Sequence, residues 1–355
     1  MTGAPIAGPG DDVAAEYEAL RRGVGAYRAA RAVVTVTGPD ATTYLQGQLS
    51  QDVSPLGVGA SAWALLLEPD GKLSALLRVT RTAGDAYALD TDVGFAETVE
   101  QRLSRFRLRT KVTIEAGEWP CVALRGAGVR DAVGNRSNTA NANAASGGSV
   151  GPSGPSDAGA ASGPPWMLPV EWNGTRGVDL LGPGAEDRVP AGARRCGRDA
   201  WEALRIEAGI PQMGAELDAR TIAAEAGLVE RAVSFTKGCY TGQELVARLD
   251  ARGNRVARRL CGIVAPGLGA GEARQLLGVL LLAPGVEKPV GTCTSAAWSP
   301  ALGATVALAY VHRSVAVPAT LRAQFGTGAR AGSDAPVGSD AATAVEVRAL
   351  PLVEC

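Results

Sequence analysis

The stretch Lys237-Gly238-Cys239-Tyr240-Thr241-Gly242-Gln243-Glu244 decides how the rest of the chain is read. It sets a cysteine two residues after a lysine and just ahead of a helix start. Thr241 and Glu244 have the T-x-x-E spacing of a capping box before the apolar pair Leu245-Val246. A helix N-terminus and a lysine ammonium both favour a thiolate over a thiol. A cysteine that only fills space needs neither, although a small buried hydrophobe is the bland alternative, and on physics alone the two stand even. Cys239 and its neighbour Lys237 are therefore the candidate functional pair.

The remaining cysteines are Cys121, Cys196, Cys261, Cys293 and Cys355, none within a C-x-x-C spacing of another. A locally encoded zinc or iron–sulfur site takes closely spaced ligand pairs, so no metal site is expected. The single histidine, His312, ends an apolar run that reads as a strand. One histidine excludes a His-rich metal site, and none lies near Cys239 in sequence to make a papain-type pair.

Away from these residues, composition sets the class. With 46% hydrophobic and 20% charged residues the chain reads as a packed globular protein, and 355 residues suffice for two or three domains. A net charge of −1 argues against a dedicated nucleic-acid binder, and direct nucleic-acid binding is not expected. No apolar run reaches the roughly 18 residues of a membrane span. The start, MTGAPIAGPGDDVAAEYEAL, has no charged segment followed by an apolar one, so a cytoplasmic protein with reduced cysteines is expected.

Working outward along the chain, Asp12 to Arg22 reads as an amphipathic helix and Val33 to Thr37 as a strand. Asp40 is placed to cap a helix from Ala41 to Leu49. Trp63 to Leu67 and Leu73 to Thr80 flank the turn Glu68-Pro69-Asp70-Gly71, a hairpin signal. Tyr87 to Asp90 is a strand, Val93 to Ser104 a helix, and Phe106 to Ile114 a strand. In that last strand Arg105, Arg107, Arg109 and Lys111 would form a basic face. The stretches Asp131 to Pro165 and Gly326 to Thr343 are Gly, Ser, Ala, Asn and Pro with little apolar content; the first reads as a disordered insertion and the second as an enlarged loop. Cys196 to Gly209 reads as a helix with an Asp199-x-x-Glu202 capping box and a Gly209/Pro211 stop. Strands at 258–265, 290–297, 305–311, 320–323 and 344–349 suggest a C-terminal barrel. The order is that of α+β layers over 12–130 and 166–247, followed by the barrel at 248–355.

Glu207 lies near the end of the 196–209 helix, one position off its apolar face. A carboxylate there could accept two parallel N–H donors of a pterin-like amidine edge; a salt bridge to Arg205 or a surface position is the simpler alternative. Arg248, Arg252, Arg255, Arg258 and Arg259 form a second basic cluster, suited to a polyanionic tail or to a solvated helix end.

The octapeptide, followed by Leu245-Val246-Ala247-Arg248 and Arg252-Gly253, resembles the YgfZ-type folate-binding proteins of the glycine-cleavage T-protein (aminomethyltransferase) superfamily. The resemblance extends to Gly38-Pro39-Asp40 with Tyr44 to Gln48 and Asp52-Val53, to Asp70-Gly71-Lys72, to Leu108 to Val112, to Arg205 to Pro211, and to Ala307 to Val311. It implies a three-domain ring: two interleaved α+β domains plus a C-terminal β-barrel. It implies tetrahydrofolate or a derivative as cofactor, with Glu207 holding the pterin and Arg205, Trp201, Tyr240, Gln243 and Arg248 around the ligand. It also implies a role in assembly or repair of iron–sulfur clusters, with client enzymes, tRNA-modifying ones among them, or assembly factors as partners. The T-proteins carry an Asp-Asp pair where this chain has Ser74-Ala75, and the nearest carboxylates, Asp90 and Asp92, lie beyond that strand. Ser-Ala cannot serve as a general base. The expectation is thus an accessory protein rather than an enzyme, with a folate-dependent aminomethyl transferase as the alternative and an RNA-binding scaffold as a third.

Overall fold

The computed structural model describes residues 9–134, 165–325 and 343–354, and most of both low-complexity stretches lies outside them. The N-terminal two-thirds is built on one eight-stranded sheet in the order β2-β3-β4-β1-β5-β7-β6. Its strands are β1 (Gly25–Thr37), β2 (Ser61–Leu67), β3 (Leu73–Ala83), β4 (Ala86–Asp92), β5 (Thr113–Arg125), β6 (Trp166–Trp172) and β7 (Thr175–Leu181), with β8 (Arg194–Cys196) parallel to the start of β1. The two 13-residue strands β1 and β5 pair along their whole length and belong to both halves. Residues 31–37 of β1 pair with β4, whereas residues 121–125 of β5 pair with β7.

Helices α1 (Pro9–Arg21), α2 (Ala41–Gln48), α3 (Ala96–Arg105), α4 (Val129–Val133), α5 (Arg198–Ala208), α6 (Val229–Ala232) and α7 (Gln243–Asp250) cover this sheet and its connections. The C-terminal strands β9 (Arg258–Ala265), β10 (Leu280–Leu282), β11 (Gly291–Ser299), β12 (Ala304–His312), β13 (Ala319–Gln324) and β14 (Thr343–Arg348) close into a six-stranded barrel. The α+β class and the C-terminal barrel agree with the expectation. No helix among the described residues is long and apolar enough to cross a membrane.

Two side-chain contacts define how the sheet is shaped. Arg78 on β3 and Asp179 on β7 are four strand positions apart, which is roughly 19 Å across a flat sheet. Their Nη1 and Oδ2 atoms nevertheless lie 2.8 Å apart. Trp63 on β2 and Trp172 on β6, near the sheet's two edges, meet edge to face with ring centroids 5.4 Å apart. The sheet is therefore folded over on itself about β1 and β5, with one face turned inward. The opposite face of its first half carries the large apolar core, with Leu66, Leu77 and Leu89 packed under α2 and α3.

Several local expectations are corrected. Residues 106–112 form no strand: Phe106 and Arg107 close the end of α3 by bonding back to Leu103 and Ser104, and Arg109 has φ 61. Strand β5 begins only at Thr113. The Phe-Arg-Leu-Arg alternation copies a strand pattern, but the tight helix-to-strand connection decides the backbone. Neither capping box forms. α5 starts after Gly197, whose N–H goes to Glu16 Oε2 at 2.8 Å, and α7 starts after Gly242, whose left-handed φ of 82 displaces Thr241 from the cap. Asp40 precedes α2 but spends its carboxylate on the Lys111 N–H at 2.7 Å. Residues 131–133, expected at the head of the insertion, finish α4.

Candidate functional site

The inward face of the folded sheet is where an apolar lining would be expected, and it is charged instead. Arg78 is 2% exposed and Asp90 is fully buried. Arg78 bonds both oxygens of Asp90, at 2.9 and 3.2 Å, and reaches Asp179 with its remaining Nη. Arg125, on β5, donates to the other oxygen of Asp179 at 2.8 Å. Arg31, on β1, donates to Asp90 at 2.9 Å and to Asp92 at 2.7 Å. The second oxygen of Asp92 takes the Met213 N–H at 2.9 Å. Three arginines thus face three aspartates across β3, β4, β1, β5 and β7.

A buried charge is tolerable only when paired and hydrogen-bonded. Burial alone would raise the Asp179 pKa, but Arg125 and Arg78 outweigh it and hold the carboxyl down at about 2. Burial likewise opposes the charge on Arg78 and Arg31, and the aspartates more than restore it. Cys121 lies among these groups; burial pushes its thiol up to about 12, so it stays neutral.

Aromatic rings border the network. The Arg78 guanidinium lies 5.7 Å from the Trp63 ring. Trp201, from α5, stacks on Tyr27 with centroids 4.6 Å apart and takes the Arg125 guanidinium over its ring at 5.2 Å. Trp63 and Trp201 are only half-buried, and Asp92 and Asp179 keep 23% and 13% exposure, so this interior is not sealed from solvent.

The octapeptide forms a second locus. Lys237 is buried and does not face the thiol with free donors. Its Nζ donates to the main-chain carbonyls of Gln46, Leu49 and Gln51 at 2.7, 2.7 and 3.0 Å, at the C-terminal end of α2. Burial pulls the ammonium down to about 8, with Asp52 opposing. The Thr241 N–H bonds the Gly47 carbonyl at 3.1 Å. Gly242 packs on the β2–β3 turn, where a Cβ would come within 2.6 Å of the Glu68 carbonyl oxygen. In return, a Cβ on Gly71 would come within 2.5 Å of the Leu245 side chain. Tyr240 is buried, its N–H facing Gln243 Oε1 at 3.3 Å, while Arg248 is exposed on α7. Cys239 stands exposed on this clamped loop as a free thiol.

The residues expected around one ligand are thereby divided among three places. Trp201 borders the charged interior. Cys239, Lys237, Tyr240, Gln243 and Arg248 belong to the octapeptide locus. Glu207 and Arg205 lie elsewhere, between α1, α5 and the barrel. Glu207 Oε2 accepts from Tyr17 at 2.5 Å and Arg21 at 3.3 Å. Burial raises its pKa, opposed by Ser299, Tyr17 and Arg21. Arg205 spends its donors on Glu202, Glu216, Ser295 Oγ and the Ile210 carbonyl, a buried knot that ties α5 to β11. The residues that sequence reasoning passed over are Arg78, Arg125 and Asp179, while Asp90 was named only as a carboxylate beyond the hairpin strand. Their signal was a charge within an apolar strand run, as in Leu76-Leu77-Arg78-Val79 and Gly177-Val178-Asp179-Leu180.

Fold and geometry together place the molecule in a class. A GCVT N-terminal domain is matched over residues 9–147, and a glycine cleavage T-protein C-terminal barrel domain over residues 258–337. The chain belongs to the glycine-cleavage T-protein family. Among relatives, it is 32% identical over 227 residues to the tRNA-modifying protein YgfZ of Klebsiella pneumoniae, covering 62% of this chain and 66% of that one. It is 29% identical over 240 residues to the protein of that name from Vibrio vulnificus, covering 66% and 68%. These alignments span about two-thirds of either relative. An aminomethyltransferase of Corynebacterium jeikeium is 27% identical over 327 residues, covering 84% and 81%. The crystal structure of aminomethyltransferase T from the Bartonella henselae glycine cleavage system superposes with a TM-score of 0.70 at 20% identity, covering 96% of this chain and 90% of that one. This last likeness concerns the fold.

Proposed function

We propose that the chain binds tetrahydrofolate or a derivative in the interior of the folded sheet. There it serves as an accessory protein for the assembly or repair of iron–sulfur clusters in client enzymes, tRNA-modifying ones among them. One observation carries the folate part: the inward face presents an ionised, part-exposed Asp179 beside half-buried tryptophans. A pterin offers adjacent N–H donors to a carboxylate and a flat face to an aromatic ring. A carboxylate has about four lone-pair sites. Asp179 gives one contact each to Arg78 and Arg125, which leaves acceptor capacity. Trp63 and Trp201 would cover the ring, and the arginines would keep Asp179 charged and hold both Asp179 and Asp92 in orientation. Bound there, the folate would supply a reduced amine that carries one-carbon units. Glu207 is the less suitable partner, because Tyr17 and Arg21 hold its Oε2, and its Oε1, which has no hydrogen-bond partner among the described residues, is sealed from solvent.

Support for the accessory role comes from Cys239, a solvent-facing thiol on a loop held to α2 and to the β2–β3 turn, and from the tRNA-modifying relatives. The alternative, an aminomethyl transferase, draws on the relatives of that name. Against it, Ser74 Oγ donates to Glu68 at 2.6 Å and Ala75 is buried in the core, so the strand after the hairpin turn carries no carboxylate there. In a strain lacking the protein, Cys239→Ala should leave iron–sulfur enzyme activity unrestored while the purified variant still binds tetrahydrofolate. Full rescue would remove the thiol from the account. Formation of methylene-tetrahydrofolate from an aminomethyl donor would establish the transferase instead.

A further inference from the structure

The connection from α3 to β5, corrected above from a strand to a loop, leaves a cationic pocket that neither the folate interior nor the octapeptide uses. It is an open depression of about 730 Å³ lined by Thr37, Ser104, Arg107, Arg109, Thr110 and Lys111, among others. Arg107, Arg109 and Lys111 are exposed, and none forms an ion pair with a described residue. Arg105, one step earlier, is satisfied by Glu68 at 3.4 Å. Groups that would repel an anion are occupied. The last carbonyls of α3 receive the Phe106 and Arg107 N–H groups, and the Asp40 carboxylate is turned to the Lys111 N–H. Gly38 and Pro39, which lead into α2, line the same pocket, and α2 begins without a side-chain cap.

Three exposed cations with no ion pair among the described residues, beside hydroxyl-bearing residues in a space of this size, fit a ligand with several negative oxygens. From this we infer that the pocket is a binding site for phosphate groups, carried either by a small phosphorylated molecule or by an RNA backbone. Arginine forks match phosphate oxygens bidentately, and lysine adds a point charge. Arg109 contributes through its backbone as well: its left-handed φ of 61 lets the loop turn back over Gly38 while the guanidinium stays at the surface.

The test uses the full chain and a triple variant, Arg107→Ala, Arg109→Gly and Lys111→Ala. Glycine suits the left-handed position, and the other two side chains are exposed, so the fold is retained; an unchanged thermal midpoint checks this. Inorganic tripolyphosphate is titrated calorimetrically, and a ten-nucleotide single-stranded RNA by fluorescence anisotropy. The wild type should bind at least one of them, and the triple variant should bind it at least tenfold more weakly. Tripolyphosphate alone marks a small-molecule phosphate site. RNA binding with a log–log salt slope of about −2, from three cations on a single strand, marks an RNA backbone. Citrate, a multivalent carboxylate, should bind at least tenfold more weakly than tripolyphosphate. Absence of binding to both phosphate probes, equal binding by the variant, or equal affinity for citrate overturns the assignment. Tetrahydrofolate affinity should be the same in both proteins, so the outcome does not depend on the folate reading.

Discussion

Arg78 on β3 and Asp179 on β7 meet at 2.8 Å although three strands separate them in the hydrogen-bonded order of the sheet. This pair holds together the two halves that share β1 and β5. Removing one member of a buried, hydrogen-bonded pair leaves an uncompensated charge and costs about 3–5 kcal/mol. Asp179→Ala should therefore lower the unfolding free energy by about that amount in urea titrations, since both Arg78 and Arg125 lose their partner. A loss below about 1 kcal/mol would mean that the fold-over does not depend on the pair.

The same carboxyl predicts an acid dependence. Asp179 is held at about 2, below its ordinary value of 3.8. A depressed acid contributes stability that is complete above its unfolded pKa and is lost as pH falls through the folded one. Between pH 4 and 2 the wild type should lose more stability than Asp179→Asn. Parallel acid profiles for the two proteins would contradict the assignment.

Lys237 predicts the alkaline counterpart. Burial brings its ammonium to about 8 from 10.5, so the unfolded chain holds that proton more tightly than the native one. Stability from this residue should rise between pH 8 and 10.5, because the unfolded state binds more protons there. The stability difference between wild type and Lys237→Met, followed by urea midpoints at pH 7.5, 9 and 10, should shift toward the wild type across that range. A constant difference would mean that Lys237 does not titrate there.

Accessibility separates the thiols. Cys121, Cys261 and Cys293 are buried, Cys196 is half-buried and Cys239 is exposed. Brief alkylation followed by peptide mass spectrometry should label Cys239 well before Cys121, Cys261 and Cys293. Comparable labelling of a buried cysteine in the native protein would contradict the packing described.

Much of the fold was legible in the sequence. The β2–β3 hairpin announced itself through Pro69-Asp70-Gly71 between apolar runs, α5 through its helical spacing and the Gly209 stop, and five of the six barrel strands through alternation. What stayed hidden depends on distant partners. The Ala-Arg half of β1 is a strand because β5 and β8 flank it, not because its residues favour one. Strand β10 is three residues long and exists through its pairing with β11 and β13. The capping boxes had the right letters, but Gly197 and Gly242 set the helix starts. At the site, the octapeptide stood out in the sequence, but its letters left Cys239 even between a reactive thiol and a buried one; the fold sets it exposed. The Arg–Asp interior was not legible, since Arg78, Arg125 and Asp179 lie on three different strands and Arg78 reaches Asp179 only after the sheet folds over. Lys237 was read as the thiol's neighbour, whereas its donors go to three carbonyls 186 to 191 residues away in sequence.

The measurement that tests the central claim most directly is the calorimetric affinity of tetrahydrofolate for the wild type, Trp63→Ala and Glu207→Gln, compared side by side. If the folate lies in the folded sheet, loss of the Trp63 ring removes a stacking surface worth about 1–1.5 kcal/mol plus buried area, roughly a tenfold weakening or more. Glu207→Gln should then stay within twofold of the wild type, since Oε2 serves Tyr17 and Arg21 and Oε1 is sealed from solvent. The opposite pattern, with affinity lost at Glu207 and kept at Trp63, would place the ligand at Glu207 rather than in the folded sheet and contradict the account.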